Sequence, residues 1–308
     1  MRVFVTGASG WIGSAVVPEL IDAGHQVIGL ARSQGSAAAL AATGAEVRRG
    51  SLDDLDTLRS AAAESDGVIH LGFKHDIAFS GDFQGAVMAD RRAVEAFGDA
   101  LAGSDRPLVI AVGTLGVAPG RIATEQDGHE PFRARAEGLA GRHANGELTL
   151  SLASRGVRSS IVRLSPTVHG DGDSGFVPSL IGIAREKGVS GYLGDGSSRW
   201  TAVPRLDAAH LFRLALEKAP AGSTLHGVAD EGVPIRAIAE VIGRHLDLPV
   251  VAVPTEQGEA HFGWLSGFFG LDSPASAALT RELLGWQPTL PGILEDLEKG
   301  HYFTTPAA

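Results

Sequence analysis

The sequence predicts an α/β protein: a doubly wound parallel sheet followed by a smaller C-terminal lobe. Three observations predict it. Six short β-branched runs alternate with helical patterns over residues 1–170. Three glycines at three-residue spacing join the first such run to the first helix. After Gly170 the alternation breaks up into glycine- and serine-rich loops between scattered helices. Strands that alternate with helices imply right-handed crossovers and a parallel sheet.

In chain order, strands are expected at 3–6, 26–31, 46–49, 67–71, 108–112 and 160–164. The helices between them are expected at 11–23, 37–42, 55–63, 85–102 and 135–155. The second of these sits in an alanine-rich run, and alanine is the strongest helix former. Asp171-Gly-Asp-Ser-Gly175 and residues 194–198 read as loops, with a helix at 176–187 between them. An amphipathic helix at 206–218 is expected to return to the first domain, and a helix at 235–246 and a strand at 250–253 follow. The domain reading is therefore a sheet domain of 1–170 plus 204–228, and a lobe of 171–203 plus 229–308. Such a lobe would cover the carboxyl ends of the strands, where open α/β sheets bind ligands.

Composition narrows the function. A formal net charge of −10 over 308 residues argues against a general nucleic-acid or anionic-membrane surface. Without cysteine there is neither a disulfide nor a Cys-based metal site, and the 11 histidines show no His-Glu-x-x-His spacing, so no metal is expected. The first residues lack the pattern of a signal peptide and no apolar run is long enough to span a bilayer, so a soluble, cytoplasmic protein is expected.

The string Val3-Phe-Val-Thr-Gly7-Ala-Ser-Gly10-Trp-Ile-Gly13 has strand, turn and helix in the order of a Rossmann-type dinucleotide site. Gly7 makes the tight turn, Gly10 lets backbone approach a diphosphate, and Gly13 lets the helix pack on the strand. The phosphates would meet the N–H groups of a helix start at Ser9, Gly10, Trp11 and Ile12. The second strand ends Ala31-Arg32-Ser33. An NAD-selective site places an acid there to bind the ribose 2′-hydroxyl. Ala31 cannot repel a 2′-phosphate, Arg32 can pair with one through two charge-assisted bonds, and Ser33 can add a hydroxyl. NADP(H) is the expected coenzyme.

At these residues the chain resembles the short-chain dehydrogenase/reductase superfamily in its extended or atypical form, which includes nucleotide-sugar epimerases and dehydratases. The resemblance runs through Gly50-Ser-Leu-Asp-Asp54, Asp66-Gly-Val-Ile-His-Leu-Gly72, Arg163-Leu-Ser-Pro-Thr-Val-His-Gly170 and Thr280-Arg-Glu-Leu-Leu-Gly-Trp286. It implies coenzyme contacts at Ser51, Leu52, Leu71, Gly72 and Lys74, with Pro166 and Val168 beside the nicotinamide. Asp90 falls where the family usually has a helix asparagine.

The family's catalytic set is a Ser or Thr, a Tyr, and a Lys four residues after the Tyr. Thr114 takes the hydroxyl position. Neither Tyr192 nor Tyr302 has a Lys four residues on, and Lys74, Lys187, Lys218 and Lys299 all lie off the expected helix. The family's spacing from Thr114 puts the Tyr near Leu139 and the Lys near His143, with Glu147 one turn later. His143 is the leading substitute proton donor, and Arg142 or Arg133 would stabilise an oxyanion. His129 to Arg133 has the spacing of a His-x-x-x-Arg variant, but lies earlier than the register places it. His169 is a further candidate. In the lobe, Arg199 would hold an anion and Trp200 would stack on a ring, or both pack between lobes. Phe262, Trp264, Phe268 and Phe269 are expected in the lobe core, with a pocket lid or a dimer contact as alternatives.

The expected function is an NADP(H)-dependent oxidoreductase acting on a small carbonyl or alcohol. The alternatives are a non-catalytic NADPH sensor, which the missing Tyr and Lys favour, and then a nucleotide-sugar epimerase or dehydratase. The expected partner is a small molecule; a homodimer stays open, and neither nucleic acid nor membrane is expected.

Overall fold

The computed structural model describes residues 1–78, 80–129 and 138–304. The first half alternates as expected: β1 (Arg2–Thr6), α1 (Gly13–Asp22), β2 (Gln26–Ala31), α2 (Gln34–Ala42), β3 (Glu46–Arg49) and α3 (Leu55–Ala63). Then come β4 (Gly67–His70), a short α4 (His75–Ala78), α5 (Phe83–Leu101), β5 (Pro107–Gly113), α6 (Gly138–Ser151) and β6 (Arg158–Leu164). Residues 135–137, the start expected for α6, lie outside the described residues.

The second half carries β7 (Thr167–His169), α7 (Phe176–Lys187), β8 (Ser190–Leu193), β9 (Arg199–Pro204), α8 (Arg205–Lys218) and β10 (Ser223–Gly227). It ends with β11 (Asp230–Pro234), α9 (Ile235–Leu246), β12 (Val250–Val253), α10 (Gly258–Phe262), α11 (Ser266–Phe269), α12 (Ala278–Leu284) and α13 (Ile293–Glu298).

Seven parallel strands form the main sheet in the order β10-β6-β5-β4-β1-β2-β3. A strand covered on both faces should be apolar at every position. In β1, Val3 and Val5 face a core with Val16, Leu20 and Phe212, while Phe4 between them faces another with Leu58, Val94 and Phe97. The first core closes α1 and α8 over one face of the sheet, and the second closes α3 and α5 over the other.

A third apolar cluster lies among later residues. It joins Val177, Leu180 and Ile181 of α7 to Ile235, Ile238 and Ile242 of α9, with Trp200, Phe262 and Phe269. The 235, 238, 242 spacing is one helical stripe. β7, β9 and β11 form one small sheet here, and β8 pairs with β12.

The expected lobe of 229–308 needs one correction. Ala275, Ala277, Leu284 and Trp286 pack into the first core. The Trp286 indole donates to the Asp207 carbonyl at 3.0 Å, and Thr280 donates backbone and hydroxyl bonds to the buried Glu125 at 2.7 and 2.6 Å. Those polar anchors draw α12 onto the sheet domain.

Candidate functional site

The strand order reverses between β1 and β4, and a cleft of about 880 Å³ opens at the carboxyl ends of the strands there. Gly7, Ser9, Gly10, Trp11, Ile12, Gly13, Arg32, Ser33, Ser51, Leu52, Leu71, Gly72, Lys74, Thr114, Arg142, His143, Pro166 and Val168 all line it.

The glycine loop is as tight as its spacing implies. Gly7 sits at φ +65°, and a Cβ there would meet the Gly72 nitrogen and the Leu71 carbonyl carbon at 2.7 Å. A Cβ on Gly13 would lie 2.0 Å from the Gly7 oxygen. The Gly10 N–H closes the turn onto the Gly7 carbonyl at 2.9 Å. The Trp11 indole donates to the Val168 carbonyl at 2.7 Å, with the Arg205 guanidinium 4.1 Å above its ring. This clasp fixes the loop to the Pro166–Val168 wall opposite. Close backbone packing at a helix start, in a cleft of this size, fits a dinucleotide diphosphate.

Arg32 lies at the end of β2 and is mostly exposed, its Nη1 2.7 Å from Asp76 Oδ2. The guanidinium draws the Asp76 carboxyl below its usual range. Lys74 pairs with Asp53 at 2.7 Å. Ser33 is the N-cap of α2: its Oγ accepts the Ser36 N–H, and its own N–H reaches the Ser36 hydroxyl. The cap therefore occupies that hydroxyl and presents the start of α2 at this end of the cleft, a place suited to a phosphate.

At the other end, Thr114 and Thr201 are buried with their hydroxyls 3.2 Å apart, so one donates to the other. Leu139, of α6, lines the same cleft. Arg142 is not the free oxyanion donor expected. Its Nη1 reaches Asp90 Oδ1 at 2.7 Å, its Nη2 donates to the Ala111 carbonyl at 2.8 Å, and the Phe73 ring covers it at 4.3 Å.

Asp90 is the hub of a buried chain. The Gly72 N–H donates to Thr6 Oγ1, whose hydroxyl shares a hydrogen bond of 2.6 Å with His70 Nδ1. His70 Nε2 then donates to Asp90 Oδ1 at 3.2 Å, and the Asn145 amide donates to Asp90 Oδ2 at 2.6 Å. Burial would raise the Asp90 carboxyl, but the Arg142 charge and the His70 and Asn145 bonds outweigh it and hold it near 2.

His143 lines the cleft as a buried imidazole of lowered proton affinity. Burial and the Arg163 charge, aided by Arg142, push its imidazole down to about 4, against a weaker opposing bond to the Gly113 carbonyl. A neutral imidazole offers a hydrogen bond at neutral pH and holds no spare proton.

Several other candidates fall outside the cleft. His129 bonds Glu147 at 3.0 Å and the Glu125 carbonyl at 2.9 Å, and Arg133 lies outside the described residues. His169 turns to Asp296 of α13 at 2.9 Å. Arg199 is held by both oxygens of Asp272, at 3.0 and 2.9 Å, and Trp200 is buried against Phe176 and Phe269. Of the aromatic cluster, Phe262 and Phe269 are core, Phe268 lines the cleft, and Trp264 is half exposed.

Sequence reasoning missed Asp173, which lines the cleft within the segment read only as a loop. Burial raises its carboxyl to about 6, despite the Gly175 N–H it accepts at 2.7 Å. Tyr302, far along the chain, braces this turn: its oxygen accepts the Gly170 N–H at 3.0 Å and lies 3.3 Å from Asp173 Oδ2.

Comparison with known proteins agrees with the fold. The model of the NAD dependent epimerase/dehydratase family matches residues 3–226. An uncharacterised protein of Schizosaccharomyces pombe is 48% identical over 98% of this chain and 100% of its own length. The 4-hydroxy-2-methyl-3-oxo-4-farnesyl-3,4-dihydroquinoline-1-oxide ketoreductase of Stigmatella aurantiaca is 27% identical over 85% of this chain and 80% of its own. In fold, the dTDP-glucose 4,6-dehydratase of Streptomyces venezuelae, solved with NAD bound, superposes with a TM-score of 0.76, at 17% identity over 98% of this chain and 96% of that one. The chain belongs to the NAD-dependent epimerase/dehydratase family, in the extended short-chain dehydrogenase/reductase class.

Proposed function

We propose that this protein is an NADP(H)-dependent oxidoreductase that reduces a small carbonyl compound or oxidises the alcohol. One observation carries the reading: a dinucleotide cradle and the buried Thr114 hydroxyl lie on the walls of one cleft. The ketoreductase name of the Stigmatella relative supports it. A nicotinamide coenzyme, when bound, supplies or accepts the hydride. The loop from Gly7 to Gly13 holds the diphosphate, and Pro166 and Val168 face the nicotinamide. Thr114 donates its hydroxyl to the substrate oxygen, its own oxygen accepting from Thr201. His143 braces α6 against the end of β5 through the Gly113 carbonyl. Asp173 lines the same cleft, and burial raises its carboxyl to about 6, which makes it our candidate for the group that exchanges the proton.

The preference for NADP(H) rests on Ala31, Arg32 and the start of α2. Arg32→Ala is expected to weaken NADPH about 10- to 100-fold, the worth of a charge-assisted pair, and NADH by no more than about 3-fold. Calorimetric titration of both coenzymes checks this, and equal weakening would remove the 2′-phosphate role.

The activity is tested by NADPH consumption across a panel of aldehydes and ketones. Thr114→Val should lower kcat/KM about 10²-fold, as removal of one donor to a developing oxyanion does. A second reading, a coenzyme-binding sensor without turnover, is favoured by Leu139 at the tyrosine position and by the pairing of Arg142 with Asp90. No NADPH consumption with any carbonyl of the panel, at full coenzyme binding, decides for the sensor.

A further inference from the structure

The walls around Thr114 point to a substrate class, and we infer that the carbonyl compound carries an apolar arm, aromatic or branched aliphatic. The inference rests on the reductase reading of this cleft. Thr114 is followed by Leu115, which is buried in the third apolar cluster with Phe176, Phe268 and Leu139 packed on it. Phe176 and Phe268 meet at 5.9 Å between ring centres, behind the lining they share. On the other side Phe73 stands over Arg142 and meets Phe83 at 5.8 Å, both again on the cleft wall. Phenyl rings and leucines thus line the cleft that holds the Thr114 hydroxyl from the segment after β4 and from α5, α6, α7 and α11.

The substitution at 139 extends this wall. A tyrosine there would present a hydroxyl; Leu139 presents only methyl groups. The guanidinium nearest to this wall, Arg142, already has its charge matched by Asp90 and its face covered by Phe73. Arg199, the cation that borders the later cluster, spends both arms of its fork on Asp272. Among the described lining residues at this end, no unmatched cation offers itself to a carboxylate or phosphate. A polyhydroxylated or anionic carbonyl that set its polar groups against these rings and leucines would lose their hydration with nothing on that wall to replace it. An apolar arm removes its own surface and that of the wall from water together.

The test separates the pocket from the chemistry. Binding of unreactive amides to the NADPH-loaded protein is measured by calorimetry: benzamide and isovaleramide against oxamate and glyceramide. The apolar amides are expected to bind at least 10-fold more tightly. Phe268→Ser, a change on a half-buried ring at the rim, should cut that preference several-fold and leave NADPH affinity unchanged. Equal or tighter binding of oxamate or glyceramide overturns the inference, as does a preference that survives Phe268→Ser together with Leu139→Ser. In parallel, kcat/KM is compared for benzaldehyde, isovaleraldehyde, glyceraldehyde and glyoxylate. The same ranking supports both conclusions. Faster reduction of glyceraldehyde or glyoxylate overturns the substrate class and leaves the reductase standing. Apolar amide binding without any turnover overturns the reductase and leaves the pocket assignment standing.

Discussion

Asp90→Ala is expected to lower the unfolding free energy by about 3–5 kcal/mol, the cost of breaking a buried ion pair from one side. The carboxylate accepts from Arg142 at 2.7 Å, His70 at 3.2 Å and Asn145 at 2.6 Å, and its side chain is 2% exposed. Its removal leaves a guanidinium, an imidazole N–H and an amide facing a small cavity between α5, α6 and β4. Urea denaturation of the two proteins gives the difference directly; a loss below about 1 kcal/mol would mean that the network relaxes and the hub role is wrong.

The same group gives a pH signature. Folding holds the Asp90 carboxyl near 2, below the ~3.9 of an unfolded aspartate. A depressed carboxyl contributes stability that is fully present above the unfolded value and is lost as pH falls through the folded one. The advantage of the natural protein over Asp90→Asn should therefore be constant from about pH 5 to 8. It should shrink progressively from about pH 4 to 2. An advantage that grew on acidification would contradict the assignment of charge to Asp90.

Gly13→Ala is expected to weaken NADPH about 10²-fold or more while leaving a folded protein. The new methyl would sit 2.0 Å from the Gly7 oxygen and 2.7 Å from the Ala8 Cα. Both are backbone atoms, so no side-chain rotation relieves the contact. The start of α1 must move away from β1, and the Trp11 and Ile12 N–H groups move with it. Loss of two charge-assisted bonds at ~1.5–3 kcal/mol each corresponds to about 10²–10⁴ in affinity. Circular dichroism checks that the sheet domain persists, and titration with NADPH reads the loss. Binding within about 3-fold of the natural protein would place the diphosphate elsewhere.

Much of this was legible along the chain. The β1, β2 and β3 runs alternate with helices because a sheet covered on both faces needs unbroken apolar strands, and that is a local pattern. The glycine loop was legible because each glycine meets a neighbour near in sequence: Gly10 closes on Gly7, and Gly13 abuts Gly7. The empty acid position at Ala31 and the missing Tyr and Lys needed only residue identities and spacing.

Other elements carry no such local signal. β10 reads Ser-Thr-Leu-His-Gly and becomes a strand because β6 offers an open edge beside it. β9 pairs with β7 on one side and β11 on the other, and neither pairing has a period that the sequence displays.

The identity of the residues at the Thr114 end of the cleft could be read along the chain; their chemical state was decided only by the tertiary structure. Arg142 was a fair oxyanion candidate until α5 brought Asp90 against it. His143 had an ordinary imidazole until burial and the Arg163 charge of β6 removed its proton from the neutral range. Asp173 lay in a string that announced only a turn, and Tyr302 reaches it across 129 residues. Proton affinity depends on desolvation and on charges within a few ångströms, and both are set by which distant segments pack together. Periodicity and spacing encode how each segment folds locally, whereas charge matching, burial and the apolar walls around Thr114 exist only once the segments have met.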